Sequence, residues 1–459
     1  MSAAPQKRPN LVQGPIGRTL LLFALPTLAS NVLQSLNASV NAIWIGKYLG
    51  EAALTASANA NIVLFFLLGV VFGIAMATGI LIGQSVGADN LQQAKRVVGT
   101  SAAFFALLSV AVGAFGFLSA PHLLAAMQTP ADAMPFAISY LRIIFVATPA
   151  MFIYQYIMMA LRGAGDARTP FLFMLSSVGL DIVLNPLFIF GWGPIPAMGI
   201  AGSATATLVA QTLTLVLLVM HLYRHKHVLC IHKEERHYFR PDPKILKALV
   251  ARGIPMGLQM TVVSSSMIGM FSLVNRFGSQ TAAAFGAILQ LWTYIQMPAF
   301  AVGTAVTAMV AQNVGAGRWD RVSRIVWAGM GFNLLLTGIP VVIVYAFNRA
   351  AVSLFLPPDG LAIDVAAHAN LVTLWSFIVF GVTFVLLSAP RATGAVIGPL
   401  VVMTVSLWVV RFPFALLLTE RLQVDALWWS FPVGTLAMLG LAAGYYRFGN
   451  WKSVQLLKH

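Results

Sequence analysis

Of the 13 carboxylates in this 459-residue sequence, only Asp181 lies within a long apolar run; the others fall in loops and tails. A charged carboxylate at the centre of a bilayer costs roughly 2.5–3.5 kcal/mol on insertion scales, so it should face a cavity or partners and is a functional candidate by default. Burial disfavours the charged form of an acid, which would let Asp181 load and release a proton. The competing reading is an acid held permanently in hydrogen bonds that only ties helices together. Asn185 lies one helical turn later on the same face, and Pro186 has no N–H to give the carbonyl of Ile182. An acid, an amide and an unclaimed carbonyl thus converge, a set that suits a proton or a small cation. Upstream, Ser30, Gln34, Asn37 and Asn41 recur at i, i+4, i+7 and i+11, which places them on one helical face. Amides against lipid are costly, so this stripe either lines a cavity or bonds a neighbouring helix. Pro26, below the stripe, removes a bond to Leu22 and is expected to bend the helix.

Such residues need a membrane scaffold to position them. The chain is 59% hydrophobic and 9% charged, against roughly 45–50% and 25% in soluble domains, which excludes a water-soluble fold. A bilayer crossing takes about 20 apolar residues, and the apolar runs read as twelve helices. The first six cover residues 19–45, 55–83, 98–118, 135–161, 170–190 and 200–222; the rest centre near Ser264, Met297, Leu336, Phe380, Val405 and Leu439. Self-comparison finds a repeat at an offset of about 228 residues. Gln84-Ser85-Val86-Gly87-Ala88 matches Gln312-Asn313-Val314-Gly315-Ala316, Arg96 matches Arg324, and Pro26 matches Pro255. Arg162-Gly163-Ala164-Gly165 leading to Pro170 matches Arg391-Ala392-Thr393-Gly394 leading to Pro399. The expected fold is an all-α polytopic membrane protein, with twelve transmembrane helices in two pseudo-symmetric six-helix lobes around a central cavity. Parallel repeats of this kind share one orientation. The expected divisions are an N-terminal tail over 1–16, a first lobe over 17–222, a loop over 223–252, a second lobe over 253–446 and a C-terminal tail over 447–459.

The formal net charge of +15 would suggest nucleic acid as the partner of a soluble protein. Here most Lys and Arg residues sort to the side of the 223–252 loop, the asymmetry of the positive-inside rule. Both termini and that loop are therefore expected in the cytoplasm, and nucleic-acid binding is not. Within the loop, His225, His227, Cys230 and His232 have spacing compatible with zinc, but a flexible, solvated basic loop explains them as well. With one cysteine there is no disulfide framework. No phosphate-binding loop, Ser-His-Asp set or zinc-protease pattern is found, so no catalytic residue, metal or cofactor is expected, and uphill transport would draw on an ion gradient. Gln259, Gln290 and Trp292 in the second lobe join Gln34 and Met174 as candidate cavity residues.

The tandem lobes, the proline in helix 1, Gln84 to Ala88, the Arg162 to Pro170 turn and the helix 5 run from Asp181 to Gly191 resemble the multidrug and toxic compound extrusion (MATE) family. Gly199-Ile200-Ala201-Gly202 and Ala206-Thr207 complete the most specific part of the match, which covers essentially the whole chain. The resemblance implies a monomeric plasma or inner membrane antiporter that exchanges protons, or alternatively sodium, for amphipathic and often cationic organic compounds by alternating access. Without acids in helices 7 and 10, the chain is similar to the DNA-damage-inducible branch, whose coupling site lies in the first lobe. By that resemblance Tyr140 and Thr207 join Asp181, Asn185, Asn41 and Asn37 at the coupling site. Two positions depart from the pattern: the usual helix 1 Asp is Asn41, and the helix 5 pair reads Asp181 then Asn185 where Asn then Asp is common. A lipid-linked oligosaccharide flippase of the same superfamily is the alternative, although Arg411 is the one clear intramembrane cation for a pyrophosphate headgroup.

Overall fold

A bilayer core offers no water to backbone N–H and C=O groups, so a chain this apolar is driven to satisfy them within helices. The computed structural model describes residues 11–357 and 360–454. Parts of the expected tails, 1–10 and 455–459, and the loop residue Asp359 lie outside the described residues. Twelve helices among the described residues are long and apolar enough to cross a membrane. Together with the family evidence given below, this makes the chain a multi-pass membrane protein.

The first six are α1 (Ile16–Leu49), α2 (Glu51–Gly87), α3 (Leu91–Ala126), α4 (Met134–Gly163), α5 (Arg168–Phe190) and α6 (Ile200–Arg224). Then come α7 (Pro243–Asn275), α8 (Ser279–Gly315), α9 (Trp319–Ala346), a short α10 (Asn348–Ser353) and α11 (Leu361–Thr393). The eleventh span is interrupted: α12 (Ile397–Thr404) passes into a π-helical segment, Val405–Arg411, and then α13 (Phe412–Leu422), before α14 (Asp425–Phe448). Most spans run several residues beyond the apolar runs of the sequence. At the start of α3 the Asn90 side chain caps the helix, accepting a hydrogen bond from the Gln93 N–H.

The chain divides into two compact units, residues 29–253 and residues 11–28 with 254–454 among those described. The division runs through α1, two residues past Pro26, at a point that no change of composition marks. In the first unit, α4 packs against α2, α3 and α6, and α5 pairs with α6. Its core includes Ile45, Ala56, Leu124, Tyr140, Leu141 and Phe145. In the second unit, α11 packs against α8, α9 and α14 around Phe285, Trp292, Phe377, Trp428 and Phe431.

The basic loop is not the freely solvated segment that its composition suggests. A 3-10 helix, Lys233–Phe239, buries Tyr238 and packs on α3, where Glu235 meets the Lys95 ammonium at 2.8 Å. Gly99 permits that docking: a Cβ there would stand 2.2 Å from the Tyr238 carbonyl oxygen.

Candidate functional site

The polar site is assembled by the tight α5–α6 turn. α5 ends at Gly191, whose φ of 74° favours glycine, and the chain returns through Gly199 at φ 56°. There the Met198 and Gly199 N–H groups donate to the Phe188 and Ile189 carbonyls at 3.0 and 3.2 Å. Gly202 has to be glycine, since a Cβ would fall 2.3 Å from the Phe188 carbonyl oxygen. With α5 and α6 clamped at this end, Asp181 and Thr207 lie about two turns from the clamp along their helices and face each other.

Asp181 is 3% exposed and Asn185 fully buried. The Asn41 amide donates to Asp181 Oδ2 at 2.8 Å, and the Thr207 hydroxyl donates to Oδ1 at 3.1 Å. Asn185 Nδ2 donates to Asn41 Oδ1 at 2.9 Å and to the Asp181 carbonyl at 3.0 Å. Asn41 is therefore the keystone, giving one hydrogen bond to the acid and taking one from Asn185. Tyr140 is buried on α4 within electrostatic reach of the Asp181 carboxylate. No Lys, Arg or His forms an ion pair with Asp181 among the described residues, so the carboxylate is held by neutral donors alone. The buried Asn185 Oδ1 and Asn37 Oδ1 have no donor. The site thus offers one negative charge plus spare carbonyl oxygens, which can take a proton or a small cation.

The other candidates are scattered. On α1, Ser30 is buried, Asn37 half-buried and Gln34 exposed. Met174 packs in a separate cluster with Tyr154, Met158, Leu161 and Leu218. In the second unit, Gln259 accepts from Arg391 Nε at 3.0 Å and donates to the Val396 carbonyl. Gln290 is exposed. Trp292 is fully buried in the aromatic core, its indole N–H on Asn370 Oδ1 at 2.9 Å. Cys230 is buried with its N–H on the His227 carbonyl, and His225 stacks on His221 at 4.1 Å. Sequence reasoning missed the Gln259–Arg391 pair; its signal was the repeat, which aligns Arg391 with Arg162.

The model of the MatE family matches residues 26–187 and again 255–417, one copy in each half of the chain. The chain belongs to the MATE family. It is 35% identical over 445 residues, 96% of each chain, to the probable multidrug resistance protein YoeA of Bacillus subtilis. It is 32% identical to the probable multidrug resistance protein YpnP of the same organism, over 97% of this chain and 98% of that one. A crystal structure of a MATE protein in complex with MaD3S superposes with a TM-score of 0.89 at 20% identity, covering 97% of this chain and 98% of that one. That likeness shows the fold. MATE proteins are transporters of small organic compounds, so this chain is a membrane transporter and not an enzyme.

Proposed function

We propose that the chain is a secondary antiporter of the inner membrane that exports amphipathic, cationic organic compounds in exchange for protons, with Asp181 as the coupling acid. The observation that carries the reading is a buried carboxylate held only by neutral donors, Asn41 and Thr207. An uncompensated charge in that setting is costly, and taking up a proton removes the cost without any other ligand. Protonation also turns one carboxylate oxygen from acceptor to donor. A proton on Oδ1 reverses the Thr207 hydrogen bond, since that hydroxyl also accepts, and the loss of charge weakens the hold on the Asn41 amide, a rearrangement of the α1–α5–α6 contact. Alternating access driven by that rearrangement, with release of the cationic substrate outward, completes the cycle.

A sodium-coupled exporter is the second reading, and the Asn185 Oδ1 without a donor favours it, because sodium needs several oxygens. One carboxylate with neutral amides binds a proton covalently but makes a modest sodium site, which ranks the proton first. In proteoliposomes, collapsing a pH gradient at constant sodium should stop export, while collapsing a sodium gradient with the pH gradient maintained should not. The reverse result would make the chain a sodium antiporter, and export indifferent to both gradients would remove the antiport reading.

A further inference from the structure

The second unit contains buried donors with no acceptor. Arg411 is 4% exposed, and its Nε has no partner. Its guanidinium lies 3.5 Å from the centroid of the Phe431 ring, with Nη2 at 4.0 Å from Met267 Sδ. Phe431 and a soft sulfur compensate a cation only in part. The described acids of this unit, Asp320, Asp364, Glu420 and Asp425, all stand in the first or last turns of their helices. One turn before Phe431 on α14, Trp428 is fully buried and its indole N–H is also unpartnered. Arg391, the other buried arginine here, differs in having the Gln259 acceptor.

The backbone is irregular at the same place. Arg411 ends the π-helical segment, and Phe412 donates to the carbonyl of Leu407, five residues back. Pro413 cannot donate to Val409, which weakens the ordinary i−4 ladder there. Such π segments are uncommon and gather at functional positions. A Cβ on Gly434 would stand 2.8 Å from Arg411 Cβ, so glycine lets α14 approach the arginine closely.

We propose that Arg411 is a substrate-binding residue that takes the carboxylate or phosphate of an amphipathic molecule, with the Trp428 indole as a second donor. The guanidinium fork matches such a group in two parallel hydrogen bonds and supplies the missing countercharge. Depth decides between a lipid headgroup and a transported compound. In the span Ile397–Leu422, 14 residues precede Arg411 and 11 follow it, which at 1.5 Å per residue puts it about 17–21 Å from either end. Headgroups lie outside a hydrocarbon core about 30 Å thick, so the acidic group belongs to a substrate. The inference rests on reading the chain as an exporter of small amphiphiles, and it extends the substrates to zwitterions and anions.

The test is equilibrium binding to the purified full-length chain in detergent, free of phospholipid, read as energy transfer from tryptophan to pyrene. The probes are pyrenebutyrate and the neutral pyrenebutanol. The wild-type chain should bind the acid about tenfold or more tightly than the alcohol. Arg411→Gln should abolish that preference by weakening only the acid, Arg411→Lys should keep most of it, and Trp428→Phe should reduce it severalfold. Equal wild-type affinities would overturn the proposal, as would an Arg411→Gln loss that is equal for both probes. If Arg411→Gln does not fold, Trp428→Phe decides by the same preference. Binding needs no gradient, so acid-selective binding without proton-driven export would sink the proposed antiport and leave the acid site at Arg411 standing.

Discussion

At the scale of single residues, Asp181 and Asn41 can be tested by near-isosteric exchange. Asp181→Asn keeps both contacts: its amide oxygen can accept from Asn41, and its NH2 can donate to the Thr207 hydroxyl, which also accepts. The variant should therefore fold and bind substrate but lose gradient-driven export, measured as substrate efflux from proteoliposomes. Wild-type export by this variant would end the assignment of Asp181. Asn41→Asp places a second carboxylate one hydrogen bond from the first. Two carboxylates so close repel when both are charged, so the pair holds a shared proton. The pH profile of export should move to higher pH, and a profile superimposable on the wild type would show that Asn41 is outside the coupling unit. Asn185→Ala should weaken export less than Asp181→Asn, since it removes a donor to Asn41 and leaves the acid in place. The sequence singled out these residues because an acid and amides in apolar runs are costly. It could not show that Asn41 bridges the other two, since that depends on the rotation of α1 against α5.

At the scale of elements, α2 and α4 of the first unit meet backbone against backbone. A Cβ on Gly163 of α4 would stand 2.1 Å from the Gly79 carbonyl oxygen of α2, against backbone that cannot swing aside. Gly163→Ala should destabilise the protein by about 1–3 kcal/mol through overpacking, seen as a lower midpoint in thermal unfolding. Gly179→Ala, inside α5 with nothing within 4 Å of its new methyl group, is the control and should not lower the midpoint, since Ala favours a helix interior over Gly. The repeat counterparts of Gly79 and Gly163 are Thr307 and Ala392, so the two lobes do not share this contact. The docked loop makes a second test. Burial raises the Glu235 carboxyl, but the Lys95 and His232 hydrogen bonds outweigh it and hold the group below its ordinary value. A depressed folded value means that the contact stabilises above the unfolded carboxylate value, about 4.3, and is lost as pH falls through the folded one. Glu235→Gln removes the charge at neutral pH, and buried Cys230 should then react severalfold faster with a thiol reagent. Unchanged reactivity would mean that packing of Tyr238 alone holds the loop. The polar composition of residues 223–252 suggested a solvated segment, because the Lys95–Glu235 pair spans 140 residues and has no local signature.

At the scale of the whole molecule, orientation is the property to test. The positive-inside distribution predicts a cytoplasmic 223–252 loop. With Cys230 replaced by Ala, Lys233→Cys places a thiol at an exposed position of that loop, and a membrane-impermeant reagent should label it in inverted vesicles and not in intact cells. Labelling from outside would reverse the topology. The number of spans, the tandem repeat, the α-helical class and the lone intramembrane acid were all legible in the sequence. They depend on local hydropathy, on proline and glycine landmarks and on the cost of charge in lipid, which are properties of composition and spacing. Only the tertiary structure decided that Trp292 is core and Met174 belongs to another cluster, that the loop is docked on α3, and that the eleventh span carries a π segment. It also decided which amides reach Asp181 and that Arg411 has no acid beside it. Each of these depends on which faces of helices meet, set by packing between residues far apart in the chain, whereas hydropathy specifies only that the helices are in the membrane.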